Sequence, residues 1–446
     1  MSESSAPHLK RVLSVWDLVF YGIVLITPVA PVGVFGIASS MSKGHVTTTI
    51  VIAMVAMTLT AWSYGRMAAV YPSAGSAYVY VSGGLNPHLG FLAGWAMFLD
   101  YLIIPVVNII YVSLTAQRLF PLVPFVVWAA LVTIAVTLLN LRSIRFTARA
   151  NETMLAVMFL VIGAFFIAAV RYLFQRSGWN GLLSVEPFYN PATFHLRDVA
   201  TATSLAALTY IGFDGVTTLA EETRNPRRTV PLATVLVCVV TGVLSAAQVY
   251  LAQRLWPDYS TFKNLETAFL DVAALAGGQW LFQALAVVMI VSCFGSGLTG
   301  QASSARLLYG MGRDKVLPGR LLAYVEPKTG IPQFNVVLLG LLAFAGAMLL
   351  SWERAAALLN FGAFLAFMGV NAAALRRIVA ERKTAGMKTW LSVLASLAGF
   401  VFCLVIWLSL PVPAKIAGGV WLLAGFIYAA IRTHGFRVPP QTVDFC

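Results

Sequence analysis

Apolar runs of about twenty residues, the length a helix needs to cross a bilayer, recur along nearly the whole chain. Twelve can be drawn, near 15–40, 46–70, 89–115, 122–140, 151–171, 198–222, 229–252, 279–308, 332–350, 355–375, 389–410 and 413–431. They lack the alternation of barrel strands, and backbone in hydrocarbon must satisfy its own hydrogen bonds, so helices are predicted. Only 11% of the 446 residues are charged. Soluble domains carry about 25%, so this chain has no charged shell with which to cover so large an apolar surface. An all-α transmembrane domain over residues 1–446 follows, with no soluble module or low-complexity segment. The polar start carries Lys10 and Arg11, and the run after it lacks a small-residue cleavage site, so it reads as a retained first span.

A formal net charge of +13 raises the question of nucleic acid, but the basic residues stand in short clusters between apolar runs. That is charge sorted across a membrane, and no nucleic-acid partner is expected. With the N-terminus in the cytoplasm, 21 of the 30 lysines and arginines fall inside, among them Arg66, Arg142, Arg224, Arg227, Arg228, Arg376 and Arg377. Losing or gaining one span scrambles this alternation. The bias therefore predicts twelve spans with both termini cytoplasmic. The largest external connections are about 172–197 and 253–278, and Leu265 to Leu275 could form a helix outside the bilayer.

Two spans carry helix breakers near their middles. Span one contains Ile26-Thr27-Pro28-Val29-Ala30-Pro31-Val32-Gly33, and span six contains Tyr210-Ile211-Gly212-Phe213-Asp214-Gly215. Proline removes backbone donors and frees nearby carbonyls, so both spans are expected to unwind there. They lie five spans apart and therefore start on opposite sides of the membrane. That is the pattern of an inverted repeat, 15–171 against 198–375, followed by two additional helices over 389–431. Unwound ends expose partial charges: N–H groups around Val32 and Gly33 suit a carboxylate, and carbonyls around Ile26, Tyr210 and Ile211 suit an ammonium.

Two acids lie deep in these runs, Asp100 in span three and Asp214 in the span-six break. An acid at such depth normally faces a partner or a wet cavity. Both are candidates for proton coupling or for pairing with an ammonium group, and Asp214 is equally open to a structural role, tied to freed N–H groups. Glu222, beside Glu221, is a candidate inner gate through a pair with Arg66 or Arg11. Tyr101, Tyr210 and Phe213 are placed to wall the site and close over a cation. The hydroxyls of Ser292, Ser296, Thr299, Ser303 and Ser304 in span eight could ligate sodium, or hold helices together.

Enzymatic motifs fail. Ser296 in Gly295-Ser296-Gly297 has no base in reach, since all five histidines lie in loops, termini or near span ends. Four scattered cysteines indicate neither a disulfide framework nor a metal site, and no phosphate-cradling loop supports ATP-driven transport. Asn151-Glu152-Thr153 fits a glycosylation pattern but falls on the cytoplasmic side. No cofactor or metal is expected.

Several stretches together resemble the amino acid–polyamine–organocation (APC) superfamily, and within it the putrescine-importer group. They are Phe35-Gly36-Ile37-Ala38-Ser39, Lys43-Gly44-His45-Val46, Ser63-Tyr64-Gly65-Arg66, Tyr71-Pro72-Ser73-Ala74-Gly75-Ser76 and Asn86-Pro87-His88-Leu89-Gly90-Phe91. Span six adds Gly212-Phe213-Asp214-Gly215 through Glu221-Glu222-Thr223, and later come Arg306-Leu307-Leu308-Tyr309-Gly310 and Asn360-Phe361-Gly362-Ala363. The resemblance implies a LeuT-like fold and a secondary active transporter of a small amine-bearing solute in the cytoplasmic membrane, working by alternating access. It leans toward a proton as coupling ion, with sodium left open. It also implies a solute site at the two breaks, formed by Ile26, Thr27, Pro28, Ala30, Val32, Gly33, Tyr101, Tyr210, Ile211, Gly212, Phe213, Asp214 and Gly215. Two departures stand out. Span one has Ala30-Pro31-Val32-Gly33 where many amino-acid permeases carry a glycine-rich loop, and Gly33 stands where putrescine importers place an acid. An amino acid or monoamine is thus as open as a diamine, and an exchanger or a transporter-like sensor fits the same residues.

Overall fold

The computed structural model describes residues 13–71, 76–142, 148–313, 319–327, 329–380 and 387–438. These residues are helical with no strand among them, and each of the twelve apolar runs coincides with a helix or with an interrupted helix. In order, the helices are α1 (Val15–Ile26), α2 (Ala30–Met41), α3 (Val46–Val70), α4 (Ser76–Gly84), α5 (Pro87–Leu119), α6 (Phe125–Leu141), α7 (Ala148–Leu182) and α8 (Leu196–Ala206). The remainder are α9 (Pro226–Leu255), α10 (Ala268–Gly277), α11 (Gln279–Arg313), α12 (Gly319–Leu322), α13 (Gln333–Leu349), α14 (Trp352–Ala380), α15 (Met387–Leu408) and α16 (Val412–Arg432). Among the described residues nine helical segments are long and apolar enough to cross a membrane, and the bent pair α1–α2 makes a tenth. Helices α6 and α13 are equally apolar but only 17 residues long each.

The outward faces of α15 and α16 are apolar, with Leu391, Leu394, Val420 and Leu423 exposed, as lipid-facing surface requires. Inside, small residues bring backbones together, since van der Waals packing is the main attraction between helices in lipid. A Cβ on Gly65 of α3 would fall 2.4 Å from Pro231 Cα of α9, and one on Gly362 of α14 would fall 2.3 Å from the Ala96 carbonyl of α5. On the flank, α16 is clasped to α5 by two indoles that stack at 4.9 Å. Each donates to the other's backbone carbonyl, Trp95 Nε1 to Trp421 at 2.9 Å and Trp421 Nε1 to Trp95 at 3.0 Å.

One connection differs from expectation. Residues 172–177 continue α7 rather than starting a loop; the chain then kinks at Gly178 (φ 56°, ψ −142°) into a last turn ending at Leu182, where the Arg254 guanidinium donates to the carbonyls of Asn180 and Gly181, both at 3.0 Å. A helix end can leave the apolar zone when its orphan carbonyls find such a donor. The stretch from Leu265 to Leu275, read as a possible helix, is helical: a 3-10 turn, Leu265–Thr267, leads into α10.

That segment sits on the end of α2. A Cβ on Gly36 would fall 2.2 Å from the Leu265 carbonyl, and the Phe35 ring meets Phe262 at 5.7 Å and Phe269 at 5.4 Å. The α10 end of the bundle is thereby closed over α2. At the opposite end, Leu13 donates to the Glu222 carbonyl and Arg224 donates to the Leu13 carbonyl, each at 3.1 Å. The start of the described chain is thus tied to the end of the span-six segment.

Candidate solute site at two unwound helices

Both interrupted spans lose their winding at the residues the breakers predict. Helix α1 ends at Ile26 and α2 begins at Ala30, with axes bent by 50° across Thr27, Pro28 and Val29. Pro28 cannot donate, and it pushes the residue before it out of the helical region. Thr27 accordingly sits at φ 60°, ψ 114°, a left-handed φ that a β-branched residue rarely adopts. Its hydroxyl donates to the Ile26 carbonyl at 2.6 Å. In span six, α8 tightens into a 3-10 turn at Ala207–Tyr210, turns at Ile211 and Gly212 (φ 111°), and resumes as a 3-10 helix over Phe213–Glu222. Only glycine adopts that φ without penalty.

The breaks touch. A Cβ on Gly212 would lie 3.3 Å from the Leu25 carbonyl, and one on Gly215 would lie 2.5 Å from the Leu25 side chain. Glycine at both positions lets the span-six turn approach the end of α1, so two sets of loosened peptide groups share one region inside the bundle.

Several of those groups already have partners. The Val32 N–H, read as a carboxylate donor, gives to the Val29 carbonyl at 3.0 Å, and the Ala30 N–H gives to Thr27 at 3.0 Å. The Pro28 carbonyl accepts from Gln248 Nε2 of α9 at 2.9 Å. Gly33 is overlain by the Tyr111 ring, 3.0 Å from where a Cβ would stand.

The aromatic residues divide. Tyr210 is wholly buried, and its hydroxyl donates to the Ile50 carbonyl of α3 at 2.9 Å. Phe213 is likewise buried, with Tyr64 at 5.3 Å and Phe367 at 5.2 Å. Both hold the segment in the core. Tyr101 is only partly buried and lies within electrostatic reach of Asp100 and Asp214.

Asp214 sits at the start of the resumed 3-10 helix, where its carboxylate turns back on the N–H groups of Gly212, Asp214 and Gly215. The Ser76 hydroxyl of α4 donates to it at 3.4 Å. Within electrostatic reach of it lie the Tyr64 hydroxyl and the carboxyl of Asp100, itself 3% exposed, whose Oδ1 and the Tyr64 hydroxyl are buried without a hydrogen-bond partner. The Tyr80 hydroxyl is also in reach and turns to Thr217. Two carboxyl groups and two phenols are thus buried together beside the breaks. Such clusters bind a cation or hold protons rather than stay bare.

The structure brings the breaks, Asp100, Asp214 and Tyr101 together, and adds Ser76, Tyr80, Tyr111 and Gln248, which the sequence reading did not single out. Tyr64 and Ser76 lay in stretches that carried the family resemblance. For Gln248 the only signal in the sequence is an amide within an apolar run.

Of the two pairs expected at an inner gate, the one between Glu222 and Arg66 is not formed. Glu222 makes no ion pair among the described residues, and Arg66 reaches Ser392 Oγ at 3.5 Å instead, while Arg11 lies outside the described residues. In span eight, Ser304 donates to the Tyr101 carbonyl at 2.6 Å, Thr299 to its own helix at 3.0 Å, and Ser296 accepts from Asn108 at 3.1 Å. Ser304 and Ser296 thus join α11 to α5.

Comparison with known proteins agrees with this architecture. The amino acid permease family model matches residues 13–433. The chain is 32% identical over 445 residues to the low-affinity putrescine importer PlaP of Escherichia coli, covering 99% of this chain and 98% of that one. It is 30% identical over 396 residues to the vacuolar cationic amino acid transporter 4 of Arabidopsis thaliana, covering 82% and 63%. To the branched-chain amino acid permease BcaP of Bacillus subtilis it is 27% identical over 465 residues, covering 95% and 93%. A family match over almost the whole chain, joined to many apolar helices long enough to cross a membrane, places this protein in the amino acid permease family of the APC superfamily, as a multi-pass membrane transporter and not an enzyme.

Proposed function

We propose that this protein is a secondary active transporter that imports a small amino acid or polyamine across the cytoplasmic membrane, with a proton as the coupling ion. The observation that carries the reading is the apposition of the breaks, Gly212 against Leu25 and Gly215 beside it. Peptide dipoles freed at two helix ends and turned to one volume form an ion-binding arrangement that needs no cofactor. The adjacent acids Asp100 and Asp214 favour a solute bearing an ammonium group, or a proton in its place. A diamine importer among the relatives is consistent with that preference.

In this reading the shorter α6 and α13 also cross, giving twelve spans with both ends in the cytoplasm, a five-plus-five inverted repeat and two added helices. The α10 end faces outward, and the contact of Gly36 with Leu265 is the outer gate in its closed state. Opening moves α2 and the loosened 213–222 segment against the frame of α3 and α9, so that access alternates around the breaks.

Purified protein in proteoliposomes tests this directly. Imposing an inside-alkaline pH gradient should drive uptake of a labelled amino acid or polyamine without sodium, and collapsing the gradient should abolish net accumulation. Strict dependence on internal solute would make the protein an exchanger. Binding without flux would leave it a sensor and sink the transport reading.

A further inference from the structure

At the end of the bundle opposite α10 a cavity of about 460 Å³ opens beside the foot of the span-six segment. Ala69 and Val70, from the end of α3, form an apolar wall, and Arg224, Arg227 and Arg228, with Pro226 between them, line the remainder. Among the described residues no carboxylate lines it, and none of the three guanidinium groups is in an ion pair. Asp17 lies within electrostatic reach of Arg224.

Three cations gathered in one cavity repel one another. Two of them, Arg227 and Arg228, also stand in the first turn of a 30-residue helix, where the macrodipole disfavours positive charge. Asn225, the residue at the cap, makes no side-chain cap bond. The arrangement lacks an anion, and the guanidinium fork matches phosphate oxygens. The apolar wall and the position at the ends of two membrane-crossing helices put the cavity at headgroup depth. The cavity is open, and all three arginine side chains are exposed, as a site filled from the membrane surface requires.

We propose that this cavity is a phosphoryl-headgroup site for an anionic phospholipid. The headgroup phosphate binds between Arg227 and Arg228 with Arg224 beside it, and its glycerol end rests on Ala69 and Val70. The bound lipid ties the end of α3 to the start of α9. Arg224 also donates its backbone N–H to Leu13, so the site stands at the anchor of the 213–222 segment.

Full-length protein in micelles, titrated with phosphatidylglycerol or phosphatidylcholine and read by native mass spectrometry, tests the site. Phosphatidylglycerol should bind at least tenfold more tightly than phosphatidylcholine. R227Q/R228Q should lose on the order of tenfold in that affinity, R227K/R228K should fall between, and R142Q, a cytoplasmic-side arginine outside the cavity, should change nothing. Thermal melting in phosphatidylcholine should be unchanged by R227Q/R228Q, which shows that the fold is intact. Competition by millimolar glycerol 3-phosphate would mark the phosphoryl group as the recognised part. Tight binding of glycerol 3-phosphate or inorganic phosphate with no lipid preference would reassign the site to a soluble phosphate and overturn the lipid proposal. Equal losses in R142Q and R227Q/R228Q, or no preference between the two lipids, would reduce the cavity to ordinary surface charge and overturn it altogether.

Discussion

Two roles are proposed for Asp214, and one substitution separates them. Its carboxylate accepts from the N–H groups at the start of the 213–222 segment, and its charge lies in a volume shared with Asp100, Tyr64 and Tyr80. Asparagine keeps an accepting oxygen and loses the charge. Asp214→Asn should therefore leave yield and melting temperature nearly unchanged while lowering uptake by on the order of tenfold or more, measured in proteoliposomes. A purely structural acid would show the reverse. Gly212 poses the complementary case, for it supplies conformation rather than charge. Its φ of 111° and the nearby Leu25 carbonyl leave a side chain strained, so Gly212→Ala should destabilise the protein by about 1–3 kcal/mol, read as a lower melting temperature.

At the scale of elements, the contact between α2 and the Leu265 turn is the tightest link across the α10 end. A methyl group at position 36 cannot be accommodated while that turn stays seated, and overpacking of this kind costs about 1–3 kcal/mol. Gly36→Ala should shift the population toward a state open at the α10 end, since only the closed state bears the clash. Cysteine probes at Phe262 and Ala38 should then react faster with a membrane-impermeant maleimide, and an unchanged rate would remove this contact from the gate. The aromatic clasp of Trp95 and Trp421 lies away from the breaks and holds α16 to α5. Helix positions were legible in the sequence because each rests on one uninterrupted apolar run. The short α4 was not, since it follows from packing: Gly90 of α5 leaves room for Ser82, and Tyr78 covers Gly94.

For the whole molecule, the sidedness of the charges makes a concrete claim. If both termini are cytoplasmic, the turn between α15 and α16 faces outward and the end of α16 faces inward. In a variant whose native cysteines are replaced, Ser409→Cys should label from outside intact cells, and His434→Cys should label only after permeabilisation. The opposite pattern would invert the topology and with it the direction of transport. Under the proposed alternating access, the Leu13–Thr223 anchor at one end and the Gly36 contact at the other should not form and break independently, since both involve the interrupted first span and its N-terminal approach.

Sequence alone determined the spans, the places where two of them unwind, and the acids near those places. Each is a local matter: hydrocarbon demands an apolar helix, and proline or glycine in mid-run denies it a hydrogen bond wherever the chain ends up. Which groups stay free after unwinding was decided only by the tertiary structure. The Val32 N–H looked available in sequence, yet it gives to Val29, while Gln248 takes the Pro28 carbonyl and the Tyr210 hydroxyl turns away to Ile50. The phenols of Tyr64 and Tyr80 come from other helices to within electrostatic reach of Asp214, and that of Tyr64 is left unmatched. Hydrogen bonds between residues far apart in the chain are set by how helices cross, and no run of residues encodes that crossing by itself.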